Sequence, residues 1–377
     1  MLAPTSVVIA VVIAYFCGWF AGSKPQNPAI SPPDLSIDPV YSKYKFGRDD
    51  SVIDIGVQPI WIPTNIISET MKRDRTLIAA LAEDGLTVRF HGFRKGADVN
   101  FFLARGDLEA GVGGDMPALS AVAKSNVLVA AVIQRGSCSL VASRQMLTTD
   151  LAGLRIAYPF GSVSHYRLLR LISSIGLKES DADLVAMDVS AMPDALNQGR
   201  IDALTAWEPT PTIALKQCKN AVIIHQSRSS GYLYFSRSFA QKRPGALRKI
   251  VAAQIRAMKW LRANSDNLRT GSRWAIRSGD ALAGRKLGLS EAEYVNLARR
   301  DLLGMTSYPE ITARELSPHG PLARELEFLK EASQIPASVK WEDASACFDM
   351  SIVGEIIQNQ QKYKLDVFDY ADSMDGR

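Results

Sequence analysis

The sequence predicts an α/β protein of two lobes, each built on parallel-rich sheets flanked by helices, with a helical C-terminal portion. Three observations carry this expectation. From Val52 onward, strand-like and helix-like runs alternate, which implies parallel sheets covered by helices. A helix-end, strand and acid pattern near residue 105 is echoed near residue 198. From about Pro244 to the end, the pattern is mostly helical.

The elements follow in order. Residues 51–58, SVIDIGVQ, form a short β-branched run and read as a strand. A helix over about 65–82 follows Pro63 and closes at Gly85, as expected of a glycine just past a helix end. LTVRFHGF is the next strand, and a helix with Val99, Phe102 and Leu103 on its apolar face then runs up to Gly106. LEAGVG reads as a strand, PALSAVAKS as a helix and NVLVAAVIQ as a fully apolar strand. SCSLVAS, LRIAYPF, ADLVAMD, IDALTAW and AVIIHQ are later strands, with helices at about 164–175 and 192–198. NVLVAAVIQ leads directly into SCSLVAS, and the chain returns through HQSRSSGYLYF. These passages set the lobe boundaries: residues 51–134 with 229–377 in one lobe, and 135–228 in the other.

The echo joins Arg105-Gly106-Asp107-Leu108-Glu109-Ala110 to Gln198-Gly199-Arg200-Ile201-Asp202-Ala203. In both, a glycine ends a helix and an acid stands just past the next strand: Asp115 after Gly114, and Glu208 after Trp207. Ligands in open α/β sheets bind beyond the carboxyl ends of strands. Asp115 and Glu208 are therefore expected to face one cleft. The competing readings are a helix N-cap for Asp115 and a turn residue beside Pro209 for Glu208.

Residues 1–23 contain an apolar run, SVVIAVVIAYFCGWFA at 6–21, and read as a signal peptide or a membrane anchor. The run lacks a basic start, and Lys24 follows it. Residues 24–50, with five prolines up to Pro39, read as a linker. The formal charge of +5 is scattered, with no Lys/Arg run of the kind that tracks phosphates, which argues against nucleic acid as a partner. No histidine stands at metal-ligand spacing from another His, Cys or acid, and no cofactor motif is present, so neither a metal nor a cofactor is expected. Cys138, Cys218 and Cys347 are far apart; an oxidising compartment would allow one disulfide, with its pairing left open.

The segment from Tyr158 to Tyr166, YPFGSVSHY, follows a strand and opens a helix. Gly161 lets backbone approach a ligand closely. Ser162 and Ser164 add hydroxyl donors beside Val163 and the unpaired N–H groups of the first helical turn, which make a ready anion site. The bland alternative is a capped helix without a ligand. His165 is either a ligand donor or a packed first-turn residue. Trp61, Trp207 and Tyr232 are either apolar cleft walls or core.

The chain resembles the sulfonate, taurine and nitrate group of periplasmic binding proteins, with the type II periplasmic binding fold, over about 53–336. The marks are Gly114-Asp115-Met116-Pro117, then DLAGLRIA at 150–157, PFGSVSHY at 159–166, ALNQGRIDA at 195–203 and Trp207-Glu208-Pro209. PFGSVSHY and the later stretch TARELSPHGPLARELEFLK look nearest to the taurine-binding branch. The resemblance implies a non-enzymatic capture component of an ABC importer, periplasmic and either exported or tethered by its N-terminal segment. It would hold a small anionic solute between two lobes joined by two crossing strands, and present it to a permease and its ATPase. The implied lining is Gly114, Asp115, Met116, the loop Gly161 to His165, Trp207 and Glu208. The stretch Gly231-Tyr232-Leu233-Tyr234 carries no acid to meet a taurine ammonium, whereas Asp115 or Glu208 can substitute. A membrane-tethered sensor remains an alternative. So does an enzyme like the pyrimidine synthase of thiamine biosynthesis, although that family carries clustered cysteines and this chain does not.

Overall fold

The computed structural model describes residues 34–47, 49–305 and 308–371. The segment 6–21 and residues 24–33 lie outside the described residues; residues 34–47, expected to be linker, instead pack on the body, because Tyr41 is buried against Phe93 and Phe102 and donates to Asp98 at 2.8 Å. The first part of the chain supplies β1 (Val52–Val57), α1 (Thr64–Lys72), α2 (Arg75–Glu83), β2 (Thr87–Gly92), α3 (Gly96–Ala104), β3 (Ala110–Gly114) and α4 (Asp115–Ser125). Next come β4 (Val127–Ala142), β5 (Arg155–Tyr158), α5 (Val163–Ser174), β6 (Asp183–Ala186), α6 (Met192–Asn197), β7 (Ala203–Trp207), α7 (Thr210–Gln217) and β8 (Val222–Ser236). The remainder is helical: α8 (Arg237–Lys242), α9 (Pro244–Ala263), α10 (Ser265–Ala283), α11 (Glu291–Leu303), α12 (Pro321–Glu331), α13 (Trp341–Ser345) and α14 (Ser351–Gln358). The mixed α/β class and the helical C-terminal portion are as the sequence predicts.

The strand order is β2-β1-β3-β8-β4-β7-β5-β6 in one hydrogen-bonded sheet. The sequence suggests separate sheets; the difference lies in β4 and β8. The two apolar runs 126–134 and 137–143 are one strand, because Arg135, Gly136 and Ser137 pair without a break with Ser230, Ser229 and Arg228. The β1–β3 group is internally parallel, as is β5–β7, and each meets the β4–β8 pair through an antiparallel edge. Two long strands therefore cross between a β1–β3 side and a β5–β7 side.

Packing follows the same division. One large buried cluster joins Ile53, Ile55, Val112 and Val132 to Ile250, Leu326 and Ile356 on the β1–β3 side. Two smaller clusters cover opposite faces of the β5–β7 side. Leu140 and Ala142 point into one and Val141 into the other, as the two-residue period of a strand requires.

The single helix expected over 65–82 is broken at Arg73-Asp74, where the Asp74 carboxylate caps α2 by accepting from the N–H of Leu77. Gly85, at φ +71°, ends the second piece as predicted. Cys138, Cys218 and Cys347 are free thiols. Among the described residues, no helix is long and apolar enough to cross a membrane.

Candidate functional site

A cleft of about 560 Å³, open solvent included, lies where the β1–β3 side faces the β5–β7 side. Its walls come from the loop after β1 (Trp61), the start of α3 (Lys95 to Ala97), the β3–α4 junction (Gly114, Pro117), the loop opening α5 (Pro159 to Val163), the end of β7 (Trp207) and the crossing strand β8 (Ser229, Ser230).

Trp61 and Trp207 occupy like positions. Each ends or follows a strand in a Trp-x-Pro triplet leading into a helix, α1 or α7. The two loops touch: the N–H of Ile62 donates to the carbonyl of Glu208 at 3.3 Å. Trp61 lies against Gly231, and a Cβ there would stand 2.5 Å from the indole. The backbone needs this glycine for the close approach. Gly231→Ala is expected to displace Trp61 toward the cleft and to destabilise by about 1–3 kcal/mol, the usual cost of overpacking. Tryptophan fluorescence together with a urea midpoint checks this; an unchanged midpoint and spectrum would show that the indole is not held there.

The loop opening α5 turns tightly into the helix and presents backbone donors. Gly161 takes φ +73°, which favours glycine, and its N–H donates to Nδ1 of His165 at 3.3 Å. Ser162 is the N-cap: its Oγ accepts from the N–H of His165 at 3.3 Å and donates to the carbonyl of Pro159 at 2.7 Å. Among the described residues, this leaves the N–H groups of Val163 and Ser164 without an acceptor at the positive end of a 12-residue helix. Two further donors of the wall are buried and unpartnered, Nε1 of Trp61 and Oγ of Ser229. A buried donor without an acceptor costs about 1–3 kcal/mol, so a ligand oxygen would be well received by them.

Of the residues singled out from sequence, Trp61, Gly114, Gly161, Ser162, Val163 and Trp207 line the cleft. Asp115, Met116, Ser164, His165, Glu208 and Tyr232 stand behind its wall, and each for a local reason. Asp115 is the first residue of α4, with Gly114 as the cap, and its carboxylate accepts from the N–H groups of Met116 (3.2 Å) and Ser230 (3.3 Å). Burial pushes its pKa up to about 6, against the pull of Arg167. Met116 and Ser164 are fully enclosed, and the Ser164 hydroxyl has no partner. His165 stacks on Tyr158 at 4.4 Å and meets the edge of Phe328 at 5.5 Å. Burial lowers its pKa to about 4, so it is neutral near pH 7 and serves as an acceptor that holds the Gly161 turn. Glu208 accepts from the N–H of Thr212 at 3.3 Å and pairs with Arg300 at 3.5 Å. Tyr232 donates to Glu315 at 3.3 Å. The expectation that Asp115 and Glu208 face one cleft is thus corrected: neither lines it, and both carboxylates are engaged in the surrounding packing.

Sequence reasoning missed Lys95, Ser229 and Ser230. Lys95 directly precedes α3, a signal the sequence does contain, whereas the serines were read as a connection and lie mid-strand in β8. Two ion pairs join the β5–β7 side to the C-terminal helices, one through α7 and one through α5. Lys216 pairs with Glu293 at 2.9 Å, and Arg167 of α5 pairs with Glu325 of α12 at 2.6 Å.

Comparison with known proteins gives a consistent result. The chain is 27% identical over 270 residues to the taurine-binding periplasmic protein of Escherichia coli K12, covering 68% of this chain and 81% of that one. It is 28% identical over 158 residues to a putative aliphatic sulfonates-binding protein of the same organism, covering 39% of this chain and 49% of that one. The crystal structure of the periplasmic aliphatic sulphonate binding protein SsuA from Escherichia coli shares the fold, with a TM-score of 0.62 at 16% identity over 81% of this chain and 99% of that one. The model of the NMT1-like family matches residues 79–275, more than half of the sequence, and the chain belongs to that family.

Proposed function

We propose that this chain is the substrate-binding component of an ABC importer, which captures a small organic sulfonate in the cleft and delivers it to a permease and its ATPase. The observation that carries the reading is the convergence on one cleft of free N–H groups at the start of α5, two unpartnered buried donors and the Lys95 ammonium. A sulfonate has three acceptor oxygens and a permanent negative charge, which such a set of donors satisfies. The names of the relatives specify taurine or aliphatic sulfonates, and those of the taurine-binding protein and of SsuA specify the periplasm, which supports both the ligand class and the place of action. A non-enzymatic role fits a cleft whose histidine is neutral, packed and turned to backbone.

The same reading divides the chain into lobes, 51–134 with 229–377 and 135–228, moving about the crossing of β4 and β8. The three separate buried clusters and the pairing of Gly136 with Ser229 at the crossing support this division. Residues 1–23 then serve as the export signal or anchor, and the spacer ends before residue 34, where the chain begins to pack on the β1–β3 side.

The test is calorimetry with a panel of sulfonates on the wild type, Ser162→Ala and Ser162→Asp. The Ser162 hydroxyl proton is already given to Pro159, so Ser162→Ala removes the N-cap, costs about 1 kcal/mol of stability and weakens binding only slightly. Ser162→Asp should bind more weakly still, because its carboxylate stands where the anion must sit. Both variants should fold, since aspartate is itself a good N-cap and suits the helix dipole. Unchanged binding by Ser162→Asp would mean that the loop is only a helix cap.

A further inference from the structure

We infer that the cleft selects organic sulfonates with an uncharged, apolar tail, that Lys95 supplies their counter-charge, and that solutes bearing an ammonium group, taurine among them, are rejected. The inference rests on the sulfonate-binding reading above and names the substrate class within it. Among the described residues, Lys95 is the one ionisable side chain of the cleft wall, which contains no aspartate or glutamate. The ammonium of Lys95 is 3.9 Å from Asp98, and that carboxylate also accepts a 2.8 Å hydrogen bond from the hydroxyl of Tyr41. The Lys95 side chain is 59% exposed and its one ion pair is long, so the ammonium is available to an incoming anion.

Every acid near the cleft is committed elsewhere. Asp115 is held by two backbone N–H groups, Glu208 by Thr212 and Arg300, and Asp98 by Tyr41. Beside the neutral polar groups of Gln58, Ser162, Ser229 and Ser230, the wall is apolar: the indoles of Trp61 and Trp207, the exposed ring of Phe160, Pro117 and Val163. A ligand ammonium entering this cleft would lose its water without gaining a carboxylate, and would meet the charge of Lys95. An unpaired charge taken out of water is costly, and the face of an indole returns only part of that cost. The cleft opens to solvent, and its apolar side chains favour a ligand with more apolar surface to bury.

Two probes separate charge from size. Ethanesulfonate and taurine share the two-carbon sulfonate and differ only in the amine; hexanesulfonate lengthens the apolar tail. Calorimetry on the full chain should show ethanesulfonate binding at least tenfold more tightly than taurine, and hexanesulfonate more tightly than ethanesulfonate. Lys95→Gln should weaken ethanesulfonate binding about tenfold and narrow its lead over taurine, with the circular dichroism spectrum unchanged because Lys95 makes no cap hydrogen bond. Taurine binding as tightly as ethanesulfonate would overturn the selectivity. Unaltered ethanesulfonate affinity in Lys95→Gln would remove Lys95 from the role. If no sulfonate binds at all, the proposed function itself falls and this selectivity falls with it.

Discussion

Asp74→Ala is expected to cost about 3–5 kcal/mol of stability, the typical result of removing one partner from a buried ion pair. Asp74 is wholly buried, and Arg256 is nearly so. The carboxylate accepts from Nε of Arg256 at 2.9 Å and lies 2.7 Å from its Nη2. Arg256 also donates to the carbonyl of Tyr363, so one pair ties α2, α9 and the C-terminal segment together. The same carboxylate caps α2 through the N–H of Leu77 at 3.0 Å. Alanine would strand a guanidinium in the core and uncap a helix at once. Burial raises the pKa of Asp74 against the pull of Arg256, which marks the ion pair as held in a poorly solvated place. The double variant Asp74→Ala/Arg256→Met should recover much of the loss, because an apolar replacement of both partners removes the stranded charge. Urea unfolding of the two single variants and the double variant measures this; additive losses would show that the two residues are not coupled.

Arg167→Met is expected to cost roughly 3 kcal/mol at neutral pH, the low end for a broken buried pair, because the guanidinium side chain is 23% exposed. Arg167 reaches from α5 to Glu325 of α12, and Asp115 lies beside the same pair. The two carboxylates share one cation in a buried place. Burial raises both pKa values, Asp115 to about 6 and Glu325 well above its ordinary value, and the neighbouring Asp115 raises Glu325 further. A carboxylate whose folded pKa is raised contributes stability that is fully present below its unfolded pKa, near 4, and is lost as pH rises through its folded pKa. Wild-type stability contributed by Asp115 should therefore fall between about pH 4 and pH 6. Without the cation the carboxylates hold their protons longer, so in Arg167→Met the fall should extend to higher pH and be larger. Asp115→Asn in the Arg167→Met background should flatten the profile. Chemical denaturation from pH 4 to pH 8 provides the test, and a variant profile that coincides with wild type would remove Arg167 from this role.

Much of this molecule was legible in its residues taken locally. The alternation of apolar runs predicted the strands, with β4 read as two, and the helices up to α6 but not α7, because strand period and helix period are properties of neighbouring residues. Glycines 85, 161, 176 and 199 adopt positive φ at helix ends or turns, as their sequence context suggests. The loop PFGSVSHY opens a capped helix at the cleft, and its hydroxyl-rich start identified it in advance. The Trp-x-Pro triplets at 61–63 and 207–209 were a further repeat in plain view, and they mark the two touching loops better than the acids did.

What stayed hidden depends on residues far apart in the chain. Whether 126–134 and 137–143 form two strands or one was decided by β8, which offers a partner through residues 228–230. Whether Asp115 and Glu208 face solvent or packing was decided by Ser230, Glu325 and Arg300, brought in by β8, α12 and α11. A carboxylate has the same local signature on a cleft wall and one layer behind it. The difference is which donors the distant elements bring within hydrogen-bond reach, and that is set by packing around the crossing strands. The sequence by itself determined the α/β class, the order of elements and the serine-capped start of α5. Only the tertiary structure decided that Lys95 and Ser229 complete the cleft and that its acids are already engaged.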